Sequence, residues 1–373
     1  MSKRSLEWES LFIQSLGFTT GSDGIYSIPL NGSDRRSNNL NHNTLITLGD
    51  SFIGRILSQD IRSRDSVMVN NVIAMMIGSE PNPEAISFFW GKNDRDVPTS
   101  VFLPSTPGAE KDSWYWLEDG IVINDNLHLM ALRLVKTGPG DWDWQPTGVT
   151  MITGSARKPL EFSRYVQSDT PFFRARSGER GEMIFGSGIL ANTKAGGSPI
   201  PDGYVYIYGT ETQGGTKYLL AARVLPRDFM DFKAWRFWDG NGWNPDIADC
   251  ARITGRVSQE LSVTPLESGC FALVFQRDGM GTEVTVQLSS TPYGPFGKMK
   301  TVWNAPEPSE GQEIYVYNAK AHPNLSLPGE LLITYNVNTF NYDTLFHNAD
   351  IYRPRFVRVW NLNCCEDLMP ENN

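Results

Sequence analysis

Hydrophobic and polar positions change over in short runs along most of this chain. A helical period occurs once, near the start. Trp8, Leu11, Phe12, Ser15 and Leu16 share one face of a predicted amphipathic helix over residues 6–16. Beyond it the runs are short, apolar and rich in β-formers: residues 45–48, 72–76, 86–90, 127–135 and 149–152, then 204–208, 219–224, 270–275, 284–288, 330–335 and 356–360. The 34 Gly and 23 Pro fall mainly between these runs, where they break strands and make turns. An all-β chain is predicted. Leu127, Leu129 and Ala131 alternate with Met130, Leu132 and Leu134, so this strand is apolar on both faces. Such a strand lies between layers, as in stacked blades or a sandwich.

Five segments look alike as strands that carry a polar group or small residues. They are residues 46–52 with Asp50, 114–120 with Asp119, 184–190 with Ser187, 259–266 with Glu260 and 315–322 with Asn318. Each is followed by two or three further strands. Four-stranded blades repeat at roughly 40–50 residues, and longer loops stretch that period. The reading is a five-bladed β-propeller with a short N-terminal helix. The propeller spans residues 23–362, a helical extension precedes it over 1–22, and a polar tail follows over 363–373. The five anchors belong to innermost strands around a channel, and residues 24–28 supply a strand that closes the ring with the last blade.

Composition narrows the partners. Hydrophobic residues make up 40% of 373, enough for a large core. Aromatics reach 12%, including eleven Trp, which suits β cores and sugar-stacking clefts alike. The net charge is −9 with no basic stripe, which argues against nucleic acid. No apolar stretch is long enough to span a membrane, and no apolar run follows Met1-Ser2-Lys3-Arg4, so a cytoplasmic location is expected. Cys250, Cys270, Cys364 and Cys365 show no zinc-type spacing and read as reduced thiols. There is no phosphate loop, GxSxG elbow or HExxH, and four His are too few for a metal cluster. Neither a cofactor nor a metal is expected.

Candidate chemistry centres on carboxylates. Asp50 directly follows a buried strand, where an acid is costly unless it has a partner or a task. Its ordinary role would be a turn. Asp65, Asp119 and Glu260 converge with it if the anchors line one channel. One carboxyl held protonated and one ionised suit glycoside hydrolysis. Asp119 in an Asp-Gly pair could simply turn the chain, and Glu118 reads as its solvated neighbour. Glu260 could pair with Arg252 or Arg256, and Asp65 could pair with Arg62 or Arg64 on the surface. His322 before Pro323, the amides Asn70, Asn71, Asn336 and Asn338, and Trp116 are the candidate sugar-binding groups. Each has a structural alternative in hydrogen bonding within the sheets.

Residues 48–52, 70–74, 116–120, 204–208, 237–240, 318–323 and 334–338 resemble motifs of the family called domain of unknown function 4185. The resemblance implies a five-bladed propeller and a glycoside hydrolase acting on furanosides such as D-arabinan. It implies a catalytic pair with Asp50 first and Asp65 second. Similar glycosidases of other families place a glutamate on a later blade, which keeps Glu260 as a rival acid. The substrate expected is an oligosaccharide or small glycoside. The rival functions are a non-catalytic carbohydrate-binding propeller and a structural propeller.

Overall fold

The computed structural model describes residues 1–13, 16–37, 42–57, 60–311 and 313–362. Among the described residues the strands form seven antiparallel sheets; two are small, and the five of four or more strands, I to V, follow one another along the chain as meanders. Sheet I holds Tyr26–Pro29, Asn43–Leu48, Val72–Ile77 and Ile86–Phe89. Sheet II holds Trp114–Ile123, Asn126–Lys136, Trp144–Ser155 and Val166–Asp169. Sheet III is built on Glu182–Asn192, Tyr204–Gln213, Thr216–Val224 and Arg236–Trp238, with a two-residue strand at each edge. Sheet IV holds Leu261–Pro265, Phe271–Gln276, Glu283–Ser289 and Lys300–Asn304. Sheet V holds Ile314–Ala321, Glu330–Thr339 and Pro354–Trp360, and its fourth strand is Ser2–Arg4 from the other end of the sequence.

The first strands of the meanders face one another in order around a narrow passage of about 50 Å³. It is lined by Tyr26, Asp119, Ile189, Ser262 and Lys320, one from each sheet. Polar bonds tie each sheet to the next. Thr47 donates to the Glu118 carbonyl, the Ile189 N–H to Asp119, Gln259 to Ser187, and Ala321 N–H to Ser262. Ser27 then joins sheet I back to sheet V through His322 and Asn324. Between sheets the packing is apolar. Leu127, Leu129 and Ala131 pack with Ile28, Leu45 and Ile73 of sheet I. Met130, Leu132 and Leu134 pack with Ile184, Ile207 and Leu220 of sheet III. The doubly apolar pattern therefore reports one strand buried against two neighbouring sheets.

Three expectations need correction. The N-terminal helix covers only Leu6–Glu9 with a 3-10 turn over Ser10–Phe12, and the chain is a strand again over Leu16–Ser22. Trp8 and Phe12 bring this turn down onto Phe356, with ring centroids at 5.8 Å in both cases. Residues 24–28 do not join the last sheet: Tyr26–Pro29 is the inner strand of sheet I, and Asp50 follows its second strand. The strand that completes the last sheet is Ser2–Arg4. Among the thiols, Cys250 is buried and free, but Cys270 is disulfide-bonded, so the reading of four reduced cysteines fails. The predicted tail over 363–373, with Cys364 and Cys365, lies outside the described residues.

Candidate active site

Leu45, Ile46 and Leu48 bury the strand Asn43–Leu48, and Asp50 emerges from its end. Beside it stands Asp23, just before the inner strand Tyr26–Pro29. The two segments are stitched by backbone. Asp23 N–H donates to the Asp50 carbonyl at 3.3 Å, and Gly49 N–H donates to the Asp23 carbonyl at 2.9 Å. Gly49 is required here, because a Cβ would collide with Oδ1 of Asp23. Asn70 and the Trp116 indole each donate to Oδ1 of Asp50 at 2.9 Å. The Tyr317 and Tyr352 hydroxyls donate to Oδ2 of Asp23 at 2.7 and 3.1 Å. Glu260 arrives just ahead of the inner strand of sheet IV. Asn318 donates to its Oε1 at 2.7 Å, and the buried Lys320 pairs with its Oε2.

Burial and crowding separate these acids. Burial pushes Asp23 up to about 8, the Asp50 charge adds to this, and the Tyr317 hydroxyl opposes it. Burial pushes Asp50 up only to about 6, because Asn70, Trp116 and the charge of Lys136 hold it down. At neutral pH Asp23 keeps its proton while Asp50 is ionised. Two adjacent carboxyls with unequal proton affinity can divide acid and base roles.

Deeper in the passage, Glu118 is 5% exposed and rises to about 8, first through burial and then through the Glu260 charge. It is not the solvated neighbour that its sequence suggests. Asp119 rises to about 7 by burial, against bonds from Ile189 and Gly120 N–H at 2.7 and 2.8 Å. One of its oxygens thus holds sheet II to sheet III, and the other accepts from the next residue of its own strand. The arginines foreseen for Glu260 are engaged elsewhere: Arg252 pairs with Glu211 and Arg256 with Asp278.

The other sequence candidates divide plainly. Trp116 stands beside Asp50, in edge contact with Trp144 at 4.7 Å. Asn338 backs the cluster, with its amide nitrogen 3.5 Å from the Tyr317 hydroxyl. Asn336 is buried, and neither of its amide atoms has a hydrogen-bond partner among the described residues. Asn71 is fully buried and spends its amide on the Phe102 and Tyr115 carbonyls and on Phe102 N–H. His322 is buried with both ring nitrogens engaged, to Ser27 at 2.9 Å and Thr334 at 2.7 Å. Burial takes it down to about 3, so it is a neutral fastener between sheets. Asp65 is 66% exposed on the side chain. It pairs with Arg55 at 3.2 Å, and a Ser63 hydrogen bond holds its pKa down. An exposed, easily ionised carboxylate has neither the position nor the proton affinity of the acid partner assigned to it.

Asp23 is the residue that sequence reasoning missed. Its signal was an acid immediately before a short inner strand, the same arrangement as Glu260 before Leu261. A cavity of about 490 Å³ lies away from these carboxylates. It lies where the inner strands finish, lined by Asp34, Arg36, Ser198, Glu267, Pro323 and Glu330. Volume and chemistry therefore disagree. The carboxylate end is the candidate active site because charge separation and directed donors converge there, and they do not converge in the cavity.

A ring of sheets around a polar passage, with unequal carboxylates at one mouth, defines an all-β protein of the channel-centred kind. The chain belongs to the family described as domain of unknown function 5005, which it matches over residues 5–362. This corrects the resemblance to domain of unknown function 4185, whose supporting motifs are short strand-and-turn pieces of modest specificity. Comparison with functionally described proteins gave no match. A protein of Bacteroides ovatus, provisionally designated a hydrolase, superposes with a TM-score of 0.72 at 22% identity, covering 96% of this chain and 90% of that one. That likeness shows the fold. An α-L-arabinofuranosidase of Podospora anserina, solved with cellotriose, matches with a TM-score of 0.44 and 11% identity over 93% of this chain and 99% of that one.

Proposed function

We propose that this protein is a glycoside hydrolase built as a five-bladed β-propeller, with sheets I to V as its blades. The observation that carries the reading is the Asp23–Asp50 pair, two acids stitched together by backbone and held by separate sets of donors, with burial and crowding raising Asp23 above Asp50, beside Trp116 and Trp144. Asp23 gives its proton to the leaving glycosidic oxygen. Asp50, through Oδ2, to which neither Asn70 nor Trp116 donates, takes a proton from the attacking water or attacks the anomeric carbon itself. Glu260, paired to Lys320, keeps a negative charge close enough to favour the protonated form of Asp23. The fold shared with a provisionally designated hydrolase supports the reading at the level of scaffold alone.

A panel of nitrophenyl furanosides and pyranosides tests the proposal. Wild-type protein should release nitrophenol from at least one member, and Asp50→Asn should not. An Asp50→Asn protein with wild-type turnover would sink the assignment.

A further inference from the structure

The loop between the second and third strands of sheet II does not stay over its own sheet. Its Trp142 reaches sheet V, with ring centroids 6.1 Å from Tyr315 and 6.0 Å from Phe340. Tyr315 and Phe340 themselves pack at 4.5 Å. Sheets II and V are the two neighbours of sheet I in the ring and do not adjoin each other. A side chain running from II to V therefore spans sheet I, at the end where Asp50 emerges. The span is stiffened from within. Lys136 donates to the Gly140 carbonyl, Gly140 N–H to Asp143, and Thr137 N–H to the Asp143 carbonyl, at 2.7, 2.7 and 2.9 Å. Tyr342 of sheet V flanks the same place, its ring 6.1 Å from Phe52 of the strand that follows Asp50.

We infer that this aromatic bridge makes the site selective for chain ends. The inference rests on the hydrolytic reading above. A glycan crossing Asp50 needs room on both sides of the scissile linkage, and the bridge from Trp142 to Tyr315 and Phe340 occupies the sheet I side. The terminal sugar residue lodges against the bridge, with aromatic faces available for stacking. The rest of the chain leaves on the opposite side, over sheets III and IV. Trp142 and Phe340 are each 55% exposed, which fits rings that meet a ligand rather than fill a core.

The test compares two kinds of probe on the full chain. Nitrophenyl glycosides and end-labelled oligosaccharides report terminal cleavage. Dye-crosslinked arabinan, arabinoxylan and galactan release colour only on internal cleavage. Wild type should cut the first kind and leave the second intact. Trp142→Gly, and separately Phe340→Ala, should raise colour release roughly tenfold or more, with near-ultraviolet circular dichroism checking the fold of each. Wild-type colour release at a rate comparable with terminal cleavage overturns the inference and leaves the hydrolytic reading standing. An unchanged product pattern in both variants also overturns it. Cleavage of no probe by any form overturns both.

Discussion

The two ends of the central passage are built from the same five inner strands and have opposite characters. Where the strands begin, Asp23, Asp50 and Glu260 crowd together under directed donors and aromatic rings. Where they finish there is space, about 490 Å³, closed on one side by a loop of structural polar groups. Asp34 N–H in that loop donates to the Gly196 carbonyl at 3.0 Å, and Arg36 reaches the Leu325 carbonyl at 2.5 Å and pairs with Glu80. Asp34 is also pushed up, to about 7, but by burial alone. A raised carboxyl is thus not sufficient evidence of a working one. At the starting end the shift comes with a second acid of different affinity and with donors that fix both.

Substitutions at the two ends should separate them. The largest effect is expected from Asp50→Asn, a loss of about 10²–10⁴-fold in turnover, whereas Asp34→Asn at the other end should leave turnover unchanged in the same assay. Equal losses would erase the distinction between the ends. Asp23→Asn should come next. Wild-type activity should fall below about pH 6, where Asp50 protonates, and above about pH 8, where Asp23 loses its proton. The variant should be slow and should lack the alkaline limb.

The same substitution has a stability consequence of definite sign. Burial raises Asp23 above its ordinary value of 3.8 to about 8 in the folded state. Its contribution to stability is therefore complete below 3.8 and is lost as the pH rises through about 8. Asp23→Asn should raise the melting temperature above pH 8 and change it least below pH 3.8, as followed by calorimetry.

A smaller effect is expected of Trp116→Phe. Removing the indole donor to Asp50 should raise the Asp50 pKa and move the acid limb upward from about pH 6. An acid limb that stays in place would mean that Trp116 serves only as an aromatic wall. Smallest at the mouth, Arg36→Ala should cost about 1–3 kcal/mol of stability with no change in the pH profile.

The strand pattern was legible because its physics is local. Leu127 to Leu134 declared a strand buried on both faces, and the sheets on either side supply the partners. Asp50 was legible because an acid after a buried strand is expensive without a reason. Its partner was not, because proximity between Asp23 and Asp50 is created by the pairing of two strands, and sequence distance says nothing of it. Asp65 was favoured for being near in sequence, yet its loop turns outward to Arg55. Asn71 and His322 have the composition of ligand-binding residues, but their polar atoms are consumed by backbone and hydroxyl partners. Only a full count of those partners distinguishes a fastener from a ligand.

Sheet V draws its fourth strand from Ser2–Arg4 and its third from Pro354–Trp360, paired Ser2 to Val359 and Arg4 to Val357. Sheets I to IV are each made of a continuous stretch and can condense as that stretch becomes available. Sheet V cannot. Its seam demands a loop closure spanning nearly the whole chain, which is entropically expensive and kinetically late. During synthesis the opening residues must wait, unpaired, until residue 360 has left the ribosome. The seam of sheet V therefore hangs on a contact between opposite ends of the described chain, and its loop length makes it a late closure.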